Sequence, residues 1–189
     1  MNNYALEQAE ELFEQALEYF LGIEKEKNMI HAKELLQQSS ELGLSKSSNL
    51  LGDWYIKKII PGDNYKEAFK LYTRGYEFGD MRSFSRLAMC YEKGYGIKKD
   101  IPKALELYEK SVELGNKDAC FSIARIYEKG ENIKMDLSKA ILWYKRGYEK
   151  GDADCACNLA TCYYKGKGIE QNIEKFVHHL ISFYINHLS

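Results

Sequence analysis

One spacing constrains this chain more than any other feature. Small residues recur every 36 positions, at Ala16, Gly52, Ala88, Ala124 and Ala160. Three residues after each stands a tyrosine: Tyr19, Tyr55, Tyr91, Tyr127 and Tyr163. The residue before each is Gln15, Leu51, Leu87, Ile123 or Leu159. Further columns run in the same phase. They are Ala32, Ala68, Ala104 and Ala140, then Leu36, Tyr72, Tyr108 and Tyr144, then Ser39, Gly75, Ser111 and Gly147. Self-similarity at a fixed period of this length is the mark of stacked supersecondary units.

The columns also state what each repeat is made of. Ile123, Ala124 and Tyr127 lie at i, i+1 and i+4, one face of a helix. Ala104, Leu107, Tyr108, Ser111 and Val112 follow i, i+3, i+4, i+7 and i+8, again one helical face. The expected first helices are 4–21, 45–58, 81–93, 117–129 and 153–165, and the second helices 28–42, 64–78, 100–114, 136–150 and 172–187. Loops such as Gly94-Tyr95-Gly96-Ile97 and Gly166-Lys167-Gly168-Ile169 join them, because glycine permits the left-handed residue that ends a helix. Asn64, Asp100, Asp136 and Asn172 are expected N-caps, and Asn64 with Glu67 suits a capping box. Second helices stop at Gly43, Gly79, Gly115 and Gly151. The expected fold is therefore an all-α solenoid of five helix–turn–helix repeats, about ten helices, in a single domain over residues 1–189.

The end repeats differ from the middle ones. The first replaces the Gly-x-Gly loop with Gly22-Ile23-Glu24-Lys25, and residues 1–27 hold seven Glu against two Lys. The last helix, 172–187, carries Phe176 at the alanine column and ends in an apolar run through Phe183 and Tyr184, as a C-terminal cap would. The second repeat has Lys58-Ile59-Ile60-Pro61 where others have Gly-x-Gly or Gly-x-Asn.

These columns resemble the Sel-one-like repeat, a subclass of tetratricopeptide-like solenoids. The clearest stretches are Ala119 to Gly130 and Asp136 to Asp152. The resemblance covers residues 11–189 as repeats starting at Glu11, Ser47, Ser83, Ala119 and Cys155. It implies a right-handed superhelix whose concave face holds partner proteins, in adaptors for signalling, protein quality control and bacterial host interaction. The matching positions are packing positions, so the resemblance speaks to fold before function. A secreted, cysteine-rich branch carries a disulfide between adjoining repeats. Here the matching pair is Val112 with Cys120, which departs from that pattern and from the enzyme-like activity proposed for that branch.

Composition narrows the function classes. The formal net charge is -1, which supplies no basic track for RNA or DNA and no field toward an anionic membrane. No run of about 18 apolar residues occurs. The N-terminal apolar residues are interrupted by Glu7, Glu10, Glu11, Glu14 and Glu18, unlike a signal peptide, so the expected location is the cytoplasm.

Catalytic and metal motifs are weak. Cys155, Cys157 and Cys162 share one helix, but Cys155 and Cys157 diverge by roughly 200° of rotation. Cysteines at small apolar columns read as buried thiols. His178 and His179 diverge by about 100° and suit surface or cap positions. No metal, cofactor or catalytic group is expected. The recurring Gly-x-Gly loops serve as helix terminators.

What remains is a binding surface. First helices of such stacks line the concave face, and their expected exposed positions vary between repeats. The candidate partner-binding residues are Asn49, Asp53, Arg82, Arg86, Met89, Lys93, Phe121, Arg125, Glu128, Asn158, Thr161 and Tyr164. Arg86, Arg125 and Asn158 are the expected grip for an acidic peptide or a C-terminal carboxylate, since a guanidinium pairs bidentately with a carboxylate. The expected function is a non-catalytic adaptor holding a peptide or protein surface. An immunity or inhibitor protein, or a host-directed effector, that occludes its partner is the alternative, and needs the same groove.

Overall fold

The computed structural model describes residues 3–188 apart from Glu24 and Asp63, with side chains described from 4 to 181. The described residues form ten helices and no strand. They are α1 (Asn3–Leu21), α2 (Met29–Glu41), α3 (Ser45–Ile56), α4 (Asn64–Glu77), α5 (Met81–Lys93), α6 (Ile101–Glu113), α7 (Ala119–Lys129), α8 (Leu137–Glu149), α9 (Ala153–Lys165) and α10 (Ile173–Leu188). Every helix read from the repeat is present, with ends shifted by at most two residues.

The chain divides into two compact halves, Met1–Ala104 and Leu105–Ser189, and the boundary falls inside α6. In the first half α1 to α5 pack in sequence as neighbouring antiparallel helices, and in the second half α7 to α10 do the same. Within each half, neighbouring hairpins bury their small columns against one another, so an isolated hairpin has no core of its own.

The second-helix tyrosines are the centre of this packing. Tyr72 and Tyr144 are fully buried. Tyr72 lies flat on Gly52, where an added Cβ would come within 2.5 Å of the ring. The small columns also compensate one another in pairs eight residues apart. Ser39 meets Ser47 at 2.6 Å and Ser40 meets Ser48 at 2.6 Å, all buried. Gly75 leaves room for Ser83, and Gly147 leaves room for Cys155, whose sulfur occupies the space a side chain at 147 needs. The cysteine at 155 is thus a filler of that gap.

Capping follows the expectation with one correction. Asp100, Asp136 and Asn172 each accept a backbone N–H three residues on, from Lys103, Lys139 and Lys175, at 2.9 Å. Asn64 is itself the first residue of α4, and the residue before it lies outside the described residues. Glu67, the expected second half of a capping box, pairs with Lys70 at 2.8 Å. The second helices end at left-handed glycines, with φ of 100° at Gly43, 74° at Gly79, 103° at Gly115 and 76° at Gly151. In the irregular second repeat Lys58 takes the left-handed conformation itself, with φ 55°, and Ile60 turns inward.

At the C-terminal end α10 covers α9. His179 is buried, stacked at 5.5 Å on Tyr163 and edge-on at 4.5 Å to Tyr148. His178 is exposed. The contribution of Phe183 and Tyr184 to the cap lies outside the described side chains.

Candidate binding surface

In the first half the first helices of three repeats enclose a hollow of about 420 Å³. It is lined by Phe13 from α1, Lys46, Asn49, Leu50 and Asp53 from α3, and Asp80, Met81, Arg82 and Arg86 from α5 and its cap. Four of the twelve expected residues meet here: Asn49, Asp53, Arg82 and Arg86. They do not act alike.

Asp53 and Arg86 form a bidentate pair at 2.8 and 2.6 Å, and Tyr72 donates its hydroxyl proton to the same carboxylate at 2.7 Å. The pair is about three-quarters buried on both sides. Burial alone lowers the Arg86 pKa, but the Asp53 hydrogen bonds and charge outweigh it and hold the guanidinium above its ordinary value. Arg86 is therefore engaged by its own chain.

Asn49 was expected at the surface and is 4% exposed. Its amide donates to Asp80 Oδ1 at 2.9 Å and its carbonyl accepts from Ser83 Oγ at 2.9 Å. Asp80 also caps α5 through the backbone N–H groups of Arg82 and Ser83. The next hairpin's N-terminus closes over this position, so Asn49 fastens α3 to α5.

Two cations, Arg82 and Lys46, remain at the solvent side of the hollow. The Arg82 guanidinium has no ion-pair partner among the described residues, and its residue is exposed. Lys46 lies over the Phe13 ring at 4.5 Å, with Glu10 and Glu14 at 3.9 and 3.8 Å. Two solvent-facing cations thus stand above an apolar floor of Phe13, Leu50 and Met81.

The remaining expected residues lie elsewhere. Met89 is half-buried and Lys93 pairs with Glu92, both further along α5. In the second half Arg125 is exposed over the Phe121 ring at 5.6 Å. Glu128 accepts from Tyr144 Oη and Lys167 Nζ, each at 2.9 Å. Burial would raise the Glu128 pKa, but these two hydrogen bonds and the Lys167 and Arg125 charges bring it below the ordinary carboxylate range. Asn158 donates to the Asp154 carbonyl at 2.8 Å and Thr161 to the Cys157 carbonyl at 3.0 Å, so both turn back on α9. Tyr164 is half exposed beside Phe176.

Lys46 falls at an expected exposed position of its helix, but sequence reasoning missed Asp80 as a member of the site and missed the tyrosine–acid link, Tyr72 to Asp53 and Tyr144 to Glu128. A signal for the link existed. A buried tyrosine needs a partner for its hydroxyl, and acids recur on the facing first helices.

The thiols behave as packing groups. Cys90, Cys120, Cys155 and Cys162 are buried, Cys157 is half-buried, and all five are free. Burial pushes the Cys90 thiol up to about 12 and raises Cys120 and Cys162. Burial and the Asp152 hydrogen bond raise Cys155. Since the thiolate is the reactive form, Ellman's reagent should titrate one thiol quickly in the folded chain, Cys157. The other four should appear only on denaturation, and a second fast thiol would contradict this packing. Among the described residues no group of three or more His, Cys, Asp or Glu side chains could hold a metal ion, and no helix is long and apolar enough to cross a membrane.

The fold and this surface define a helical-hairpin repeat protein. Sel1 repeats match the chain at residues 12–44, 47–80, 85–116, 117–152 and 153–175, and the chain belongs to the Sel1 repeat family. A Sel1 repeat protein from Oxalobacter formigenes is 27% identical with a TM-score of 0.84, over 98% of this chain and 74% of that one. A protective antigen of uropathogenic Escherichia coli with an SLR fold is 27% identical with a TM-score of 0.76, over 92% of this chain and 38% of its own length. An immunity protein from Pseudomonas aeruginosa shares the fold at 15% identity and TM-score 0.66, over 94% of this chain and 68% of that one. A comparison with curated proteins found no match.

Proposed function

We propose that the chain is a non-catalytic interaction scaffold that holds an acidic segment of another protein in the hollow between α1, α3 and α5. The observation that carries this reading is the pair of solvent-facing cations, Lys46 and Arg82, over an apolar floor. An Asp or Glu side chain, or a terminal carboxylate, docking there gains charge-assisted hydrogen bonds that neutral partners cannot offer. Arg86 supports the site indirectly, because its pairing with Asp53 neutralises one of the two acids that line the hollow, the other being Asp80. The free thiols support a reducing compartment, and we place the protein in the cytoplasm.

The test is to capture a partner with the intact chain and measure its affinity for Lys46→Glu and Arg82→Glu variants. Each charge-assisted contact is worth about 1.5–3 kcal/mol, so roughly ten- to hundredfold weakening per variant is expected. Circular dichroism should stay unchanged, since both side chains point to solvent. Unaltered affinity in the double variant would remove the hollow as the site. Arg86→Ala is the wrong probe, because it leaves Asp53 unpaired and alters the fold's own network.

A further inference from the structure

The second half contains a hollow of about 600 Å³, of mixed apolar and charged lining, that the repeat itself does not call for. It is lined by Leu105 of α6, Tyr127 of α7, Ile133, Lys134, Met135 and Asp136 of the following loop, and Leu137 and Lys139 of α8. Comparing it with the same place in the neighbouring repeats shows how it arises.

In the neighbours the loop after the first helix is pressed onto the preceding second helix by its second glycine. A Cβ at Gly96 would strike the backbone of Tyr65, and one at Gly168 would come within 2.6 Å of Leu137 Cβ. Ile141, beside Gly168, is consequently 6% exposed. The same column in the loop after α7 holds Asn132, with φ 64°. Two further columns differ in or around this repeat. Leu105 stands in the column of Phe69, whose ring meets Tyr91 at 5.8 Å in the earlier repeat, and of Ile141 in the later one. Met135, 56% exposed, stands in the column of Lys99 and Gln171. One repeat thus carries an asparagine in a glycine column and an exposed methionine beside the hollow.

Charge selects the occupant. Lys134 and Lys139 stand at the mouth. The single acid, Asp136, caps α8 by accepting the Lys139 N–H at 2.9 Å and also lies 4.0 Å from Lys139 Nζ, so the lining keeps one cation, Lys134, in excess. A volume of this size, lined by apolar residues together with Lys134, Asp136 and Lys139, has room for a side chain of a partner. Methionine suits an adaptable contact surface.

We propose that this hollow is a second binding site, which takes an aromatic or long aliphatic side chain of a partner peptide with an Asp or Glu beside it. It stands on different residues from the hollow between α1, α3 and α5, and does not depend on that reading.

Two probes test it on the intact chain. The first is 8-anilinonaphthalene-1-sulfonate, an apolar ring system carrying one anion. The second is a random 12-residue peptide library displayed on phage. One dye is expected per chain, with about tenfold weaker binding in Met135→Glu and in Lys139→Glu. Both substituted residues are exposed, so circular dichroism and melting should match the parent chain. Selected peptides should carry an apolar residue within two positions of an acid and should lose binding to the same two variants. Dye and peptides that bind both variants as well as the parent overturn the site. So do peptides whose binding is lost in Arg82→Glu but kept in Met135→Glu, since these belong to the other hollow.

Discussion

Replacing Tyr72 with Ala should destabilise the first half by about 3–5 kcal/mol, the usual cost of emptying a fully buried aromatic site. Tyr72 fills the space over Gly52, so the substitution empties that space. Its hydroxyl also leaves Asp53 with one donor fewer beside Arg86. Tyr72→Phe keeps the ring and removes only that hydrogen bond, so about 1 kcal/mol is expected. The tyrosine itself stays neutral at any ordinary pH, because burial and the nearby Asp53 charge raise its pKa. The two tryptophans allow the halves to be followed separately. Trp54 lies in the first half and Trp143 in the second. In urea, Trp54 emission of Tyr72→Ala should change at lower denaturant than Trp143 emission. Tyr144→Ala should reverse that order. Equal shifts of both signals in each variant would show that the halves unfold as one, contrary to the expectation.

Removing residues 172–189 should have a comparable effect on the second half. Leu159 and Tyr163 are 1% and 4% exposed, and α10 is the helix that packs on α9 there. Exposing a repeat's inner face removes the neighbour interaction that supplies its core. A drop of several degrees in melting temperature and a broader transition are expected in calorimetry; an unchanged melt would refute the capping role. The same contact should depend on pH. His179 is buried with its Nδ1 lacking a hydrogen-bond partner, so a proton there is poorly accommodated. Burial first, then the charges of His178, Lys175 and Lys145, lower its pKa below 6.5. The unfolded chain therefore takes up the proton first as pH falls. The stabilisation by α10 should be complete above about pH 6.5 and decline below it, toward the lower folded pKa. Replacing His179 with Gln should remove that dependence.

The parts that could be read before any coordinates were those set by local periodicity. Ala124 and Tyr127 announce a helix because residues three or four apart share a face. Gly79 and Gly151 announce its end because a side chain resists the left-handed conformation. Asp136 announces the next start because its carboxylate satisfies an orphan N–H. Repetition of these signals every 36 residues then made the stacked hairpins, and the family, legible.

The candidate site was only half legible, for a physical reason. A helical wheel gives the direction of a side chain but not what arrives opposite it. Asn49, facing outward by register, is covered because the start of α5 closes over it. Arg86, a free cation by composition, is paired because the turn of α5 brings it against Asp53 on α3. Arg82 remains open because no acid among the described residues approaches closely enough to claim it, whereas Glu10 and Glu14 of α1 reach Lys46. The period of the chain, its helices, their caps and the small columns were determined by the sequence itself, since each follows from residues within one turn of one another. Which charges are free and where the hollows open was decided only by tertiary structure, because both depend on distances between residues more than 30 positions apart.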